Sequence, residues 1–381
     1  MALNPAASSR RKEIVVVGGG IYGVGTVSYF LRKMDPKFVH VTLIEKRDDF
    51  IYLPINCRNL VEDLSEYIKP YDGLFNPNPS LGEVKKGLVI GLDRQKKLVK
   101  LESGESVRYD VLILTPGCAW NDPNSAPSTH EETLAYYQAL RERVQNSKNI
   151  VVIGAGSVGC EVSGEIKSRY GRSKNVILIH ARELPLTPIY MPKLRKKVAG
   201  MLKKLGVNVI YSTLGYDNRD GTVTLQHNSM GNVSNEDIEA DMVLTDITPK
   251  PNTWFIPSEF KNSGGSVQVL DTFQTVLDPN VFCVGDANDI PEVKQALHSR
   301  GNSMPVLFNN VSAVLEGKKP RDHYVTLRHS LSLTFGRDIG VGYMKLPGLG
   351  PTVLPEWVVK KLKNEDLHAK RIAKLMNGFS P

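Results

Sequence analysis

Three glycines, Gly18, Gly20 and Gly23, follow the apolar run "IVVV" at 14–17 and open "IYGVGTVSYF", a stretch with helical spacing. In a strand–turn–helix each has its own task. The first permits a tight turn, the second lets backbone approach a pyrophosphate, and the third lets the helix pack on the strand. Phosphates then rest on the helix N-terminus, where backbone N–H groups and the helix dipole both favour an anion. Glu45 closes the next apolar run, "HVTLIEK" at 40–46, and a carboxylate there can accept both ribose hydroxyls of an adenosine.

The arrangement recurs after "IVVI" at 150–153, with Gly154, Gly156 and Gly159. Its partner run, "NVILIHA" at 175–181, ends on His180, with Arg182 two residues on. A carboxylate would repel a 2′-phosphate, whereas His and Arg tolerate or attract one, so NADPH is expected to serve as well as NADH. The alternative is that both are ordinary surface residues. Glu161, in the first turn of the second helix, has two readings: an acid favoured there by the helix dipole, or a contact to the nicotinamide edge. A third element, "NVFCVGDA" at 280–287, is a short apolar strand running into Gly285 and Asp286. Gly285 allows backbone approach and Asp286 can hydrogen-bond a ribityl hydroxyl of a flavin. A helix expected from about Ser303 would aim its positive end at the flavin pyrimidine ring, where negative charge gathers on reduction.

The elements that must position these residues form an internal repeat. Each unit reads strand, glycine turn, helix, strand, then a polar meander broken at Asp93-Arg94 and Ser103-Gly104 in the first unit and at Asp220-Gly221 in the second, then a closing apolar strand. The second unit also has a helix at 191–205 with Leu194, Val198, Met201, Leu202 and Leu205 on one face. This predicts an α/β protein of two Rossmann-type domains, each with a β-meander insertion, plus a small C-terminal section. The expected division is a first dinucleotide-binding domain at 1–117 and 266–321, a second at 118–265, and a C-terminal section at 322–381.

Composition bounds the function. The chain has 381 residues, 41% apolar and 23% charged, the balance of a globular protein with several cores. No apolar run approaches the ~18 residues that would cross a membrane. Lys and Arg outnumber Asp and Glu by 48 to 40, in short scattered clusters that fit a solvated surface, attraction to anionic lipid, or weak non-specific DNA binding. The four cysteines (Cys57, Cys118, Cys160, Cys283) form no Cys-x-x-Cys pair, so no metal site is expected and a reducing compartment is. "MALNPAASSRRKE" lacks a secretory apolar core, a transit peptide of ordinary length would cut into the first strand, and Ala2 stands where N-myristoylation needs glycine. A cytoplasmic location is expected.

Two glycine turns and a late "GDA" resemble the pyridine nucleotide–disulfide oxidoreductase superfamily over nearly the whole chain, in which the first turn holds FAD and the second NAD(P)H. The resemblance makes 1–117 and 266–321 the expected FAD-binding domain, 118–265 the NAD(P)H-binding domain, and 322–381 a section that covers the flavin or contacts membrane. "YLPINCR" at 52–58, "VLILTPGCAW" at 111–120 and "LTFGRDIGVGY" at 333–343 are similar to its ferroptosis-suppressor/apoptosis-inducing-factor-like (AMID) branch of flavin-dependent NAD(P)H oxidoreductases that reduce quinones. The resemblance places Arg58 and Trp120 in segments lining the FAD. It implies hydride transfer from NAD(P)H to FAD and onward to a quinone-like acceptor, in a monomer or weak dimer with peripheral contact to mitochondrial or lipid-droplet membrane, the flavin rather than a side chain doing the chemistry. Two other functions fit the same branch: a redox-sensing, DNA-binding pro-apoptotic protein, and a biosynthetic tailoring oxidoreductase acting on a soluble metabolite. There are departures. The usual Ala-Thr-Gly reads Thr115-Pro116-Gly117, the matching Thr-Gly of the second unit reads Thr245-Asp246, and the paired redox cysteines are missing. Near the end, Trp357, Val358, Leu362, Leu367, Ile372 and Met376 lie among Lys and Arg, either a helix docked on its own protein or a basic amphipathic element on a membrane.

Overall fold

Runs of Val, Ile and Leu with few polar interruptions make strands that are covered on both faces, as parallel sheets require. The computed structural model describes residues 10–229, 232–246, 249–292, 296–326, 330–346, 350–361 and 367–377. Its first sheet has five parallel strands in the order Val281–Cys283, Val111–Leu114, Lys12–Val17, Val39–Glu45, Gly82–Lys86. Ile14 and Val16 face a core shared with the glycine helix Ile21–Leu31 and the long helix Ala296–Leu315. Val15 and Val17 point the other way, into a core closed by the meander Val89–Asp93, Leu98–Leu101 and Ser106–Arg108. This is the two-residue alternation of a strand.

The second unit repeats the plan. Its parallel strands run Asn208–Ile210, Asn175–Ile179, Asn149–Ile153, Met242–Thr245. Ile150 and Val152 pack toward the helices Ser157–Tyr170 and Pro192–Leu205, while Val151 and Ile153 pack on the second meander, Thr213–Asp217, Thr222–Ser229 and Asn232–Glu239. Leu194, Val198, Met201 and Leu202 are buried as the periodicity predicts. An antiparallel bridge between Cys118–Ala119 and Lys250–Pro251 carries the chain from one unit to the other and back. One expected boundary is corrected: the long helix is already formed at Ala296, so Ser303 lies inside it and its positive end is not there. Pro305 stands within the helix; a proline marks a helix start often enough to mislead, yet it can be carried internally when packing outweighs the one lost hydrogen bond.

The C-terminal section is docked on its own protein. An antiparallel sheet, Leu331–Phe335, Ile339–Leu346 and Gly350–Leu354, lies on the helix Ser157–Tyr170. The Phe335 ring takes the place a Cβ would occupy at Gly164. Further on, Leu367, Ile372 and Met376 are buried in the core of the first unit, so these apolar residues are used internally. Val359 is buried, Val358 half-buried, and Trp357 is 70% exposed. Leu362 falls outside the described residues.

Arg58, expected in a flavin-lining segment, is engaged within the protein: it and Glu165 are each only 2% exposed. Its Nε lies 3.2 Å from Glu165 Oε2 and its Nη2 3.1 Å from Oε1, and Nη2 also donates to the Gly336 carbonyl at 2.9 Å. One side chain therefore ties the short helix Asn56–Asn59 of the first unit, the glycine helix of the second and the C-terminal sheet. Burial pushes the Glu165 carboxyl up, and Arg58 opposes that shift. Removing one member of such a pair strands a buried charge. Glu165→Ala is expected to lower the unfolding free energy by about 3–5 kcal/mol, whereas Arg58→Met combined with Glu165→Leu recovers most of that loss. Urea unfolding of the single and double variants checks both, and equal stability of the two would remove the ion pair from this role.

Candidate functional site

The first turn is held by hydrogen bonds from three separate segments and by packing from a fourth. Gly18 has φ +101°, open to glycine and costly for other residues. The Thr115 hydroxyl donates to the Gly18 carbonyl at 2.7 Å and lies 3.0 Å from that of Val17. Glu45, at the end of the strand Val39–Glu45, is buried. Its Oε2 accepts from the Gly19 N–H, and its Oε1 accepts from the amides of Lys46 (3.0 Å) and Arg47 (3.1 Å). The carboxylate is thus held against the turn. Gly285, with φ +88°, is pressed on the Tyr22 ring at the start of the first glycine helix. The next residue, Asp286, is half-buried, and its carbonyl accepts from the Cys118 thiol at 3.6 Å. Gly18, Gly20, Gly23, Glu45, Gly285 and Asp286 are accordingly brought to one end of the first sheet.

Whether this place suits a dinucleotide is tested by Gly20, the helix N-cap. No heavy atom lies within 4 Å of where its Cβ would be. The space at the head of the helix is open, as a pyrophosphate requires.

Tyr71 belongs to this site and was not anticipated. Its buried hydroxyl donates to the Gly19 carbonyl at 2.7 Å, and burial, with Glu45 nearby, pushes the phenol well above its ordinary value and keeps the donor proton in place. It sits in a stretch of short 3₁₀ turns, without any periodic pattern to reveal it. Trp120 is half-buried on the segment running from Cys118, at Asp286, to Asn121, whose amide donates to the Thr245 carbonyl at 3.4 Å. It lies between the two turns.

At the second turn, Gly154 has φ +104° and Gly156 caps the helix. His180 Nδ1 accepts from the Ala155 N–H at 3.2 Å, which puts the ring proton on Nε2. Burial first, then Arg182 and Arg195, push its pKa down to about 4. His180 is therefore neutral at pH 7 and supplies no charge to attract a 2′-phosphate. Positive charge at this strand end comes from exposed Arg182 and from Arg195, whose guanidinium is held by the carbonyls of Leu184 (2.8 Å) and Pro185 (2.9 Å). Arg195 lies in the basic run "KLRKKV", which by itself reads as solvated surface. Glu161 is buried and turned to the C-terminal sheet. Its Oε1 accepts from the Thr334 N–H at 2.9 Å and lies 3.2 Å from the Thr334 hydroxyl.

Asp246 stands elsewhere in the motif than its sequence neighbours imply. In the parallel ladders Val17 pairs with Leu114 and Ile153 with Thr245. The next residues, Thr115 and Asp246, are therefore equivalent, and Asp246 does not replace the motif's glycine. Its Oδ2 accepts from the Gly159 N–H at 2.9 Å. None of the four cysteines is in a disulfide; Cys57, Cys160 and Cys283 are buried and Cys118 is half-buried. No group of three or more potential metal ligands occurs among the described residues.

Comparison with known proteins agrees with this geometry. The family model described as pyridine nucleotide-disulphide oxidoreductase matches residues 80–301, more than half of the chain. The chain is 28% identical to apoptosis-inducing factor 1 of Saccharomyces cerevisiae, over 96% of this chain and 98% of that one. It is 25% identical to ferroptosis suppressor protein 1 of Homo sapiens, with both chains covered in full. The sulfide:quinone oxidoreductase of Aquifex aeolicus shares the fold at a TM-score of 0.76 and 18% identity, over 96% of this chain and 92% of that one.

Two outcomes follow from the site. If Asp286 accepts from a ribityl hydroxyl, as the sequence predicts, Asp286→Ala should weaken flavin retention by about 1.5–3 kcal/mol, on the order of ten- to a hundredfold. Flavin content after gel filtration measures this, and undiminished retention would exclude Asp286 from the site. If position 180 faces the ribose, as the sequence predicts, His180→Glu would place like charge against a 2′-phosphate and should weaken NADPH about tenfold more than NADH. Equal losses in a binding titration would show that this position does not face the ribose.

Proposed function

The chain belongs to the pyridine nucleotide-disulphide oxidoreductase family, and from that premise we propose that it carries electrons from NAD(P)H by way of FAD to a quinone-like acceptor. FAD and NAD(P)H are its cofactors. Gly18, Gly20, Glu45, Gly285 and Asp286 would hold FAD, and the turn Gly154–Gly159 with Arg182 and Arg195 would hold the nicotinamide nucleotide. Bound flavin supplies the means to couple a hydride donor to an electron acceptor. The protein's part is to bind and orient both dinucleotides and to bury the residues around them.

The observation that carries the acceptor class is the state of the cysteines. The four form no Cys-x-x-Cys pair, none is in a disulfide and three are buried, so no protein dithiol stands ready to relay electrons to a disulfide. An acceptor must then meet the flavin itself, and a quinone can do so. The quinone named for the Aquifex aeolicus protein supports this reading. A cytoplasmic monomer or weak dimer that touches a membrane or lipid-droplet surface fits a lipid-soluble acceptor, with exposed Trp357 beside Lys360 and Lys361 as the contact.

Anaerobic titration of the purified protein with NADH and NADPH should bleach the flavin, and short- and long-tailed quinones should restore its colour. Restoration by a disulfide or a soluble metabolite but by no quinone would overturn the acceptor assignment. Steeply salt-dependent DNA binding without quinone turnover would favour the DNA-binding function instead.

A further inference from the structure

The two glycine turns share a backbone but differ at one space. Over the first, the Cβ direction of Gly20 is empty to 4 Å; over the second, the same direction at Gly156 meets Asp246 Oδ2 at 2.5 Å. That oxygen accepts from the Gly159 N–H, and the Gly156 N–H also bears on it. These are donors a dinucleotide pyrophosphate would take at a helix N-terminus. We propose that Asp246 is a resident anion of the second turn, its carboxylate standing in the place of the nucleotide's pyrophosphate, so that NAD(P)H enters as this carboxylate is neutralised or swung aside. The inference rests on the second turn being the nicotinamide-nucleotide site.

The equivalence with Thr115 explains how the first unit avoids the same contact. The Thr115 hydroxyl donates to the Gly18 carbonyl, and so turns back onto the strand. An ionised carboxylate has no proton to donate there and turns to the N–H groups of the helix instead. Asp246 is half-buried, so part of it is open to solvent.

Its surroundings do not favour the charged form. The titratable groups facing it are Glu161 and Cys160 of the glycine helix, neither of which is cationic. Burial first, and then Glu161, push its pKa up to about 6, against the pull of the Gly159 and Gly156 amides. Neutralisation therefore falls within reach of physiological pH. Below about 6 the carboxyl is neutral and bears no charge against a phosphate. Above it the ionised form must be displaced at increasing cost.

The test uses the FAD-loaded protein and NAD+, chosen because it lacks a 2′-phosphate that would titrate in the same range. Calorimetric Kd values are measured from pH 5.5 to 8.5 for the wild type, Asp246→Asn and Asp246→Thr, the last being the residue at the equivalent place in the first unit. For the wild type, Kd should rise about tenfold per pH unit above about 6 if only the neutral form admits the nucleotide. Both variants should bind at least about tenfold more tightly than wild type at pH 8, with little pH dependence. His180 is already neutral over this range and adds no slope. Flavin content and melting temperature report whether each variant is folded; because two substitutions of different size are used, failure of one leaves the other to decide. A wild-type Kd that is flat with pH and equal to that of a folded variant would overturn the proposal. Absence of NAD+ binding in every protein, together with no flavin reduction by NADH, is a different result. It would overturn the nucleotide assignment of the second turn and the Asp246 proposal with it.

Discussion

The third glycine of each turn sits so close to the carbonyl of the first that no Cβ fits between them, Gly23 against Gly18 and Gly159 against Gly154. That approach seats each glycine helix on its strand and aims the helix N-terminus at the end of the sheet. Everything chemical then gathers there, because the parallel strands on either side end at the same level. Glu45 and Thr115 arrive from the flanking strands of the first sheet, and His180 and Asp246 from those of the second. A methyl group at Gly23 or Gly159 would push the helix off the strand and disperse both groups.

The same two-unit plan leaves an inter-unit surface that must be secured, and Arg58 secures it with a buried charge. A guanidinium satisfies several acceptors at once through its fixed fork of donors, so one side chain joins Glu165 and the Gly336 carbonyl. The desolvation visible in the raised Glu165 pKa is the cost of that arrangement. Burying two charges is poor value as stability, yet it allows few alternative registers, which suits a place where three parts of the chain meet. Phe335 on Gly164 adds a fit that only glycine permits.

Between the two turns, one residue at equivalent positions changes the electrostatics of an otherwise repeated device. Threonine in the first unit spends its hydroxyl on the turn's own carbonyl and leaves the helix head open. Aspartate in the second sends a carboxylate to the helix head. The scaffold is the same, and the anion affinity it presents to a ligand is not.

By itself, the sequence determined the two glycine turns, their strands, the meanders, the burial of helix 192–205 and the position of Glu45 and Asp286 at strand ends, because all of these rest on local rules: strand and helix periodicity, and the backbone freedom of glycine. Tertiary structure alone decided the rest. Tyr71 reaches Gly19 from a segment without period. Arg58 lies in a motif that resembles a flavin-lining one, but its partner Glu165 is brought to it only when the units pack. The neutrality of His180 depends on burial and on arginines from other segments, and the place of Asp246 depends on which residue its strand pairs with across the sheet. A spacing in the sequence can name a residue's neighbours along one element, whereas charge state and hydrogen-bond partner are set by what other elements place beside it.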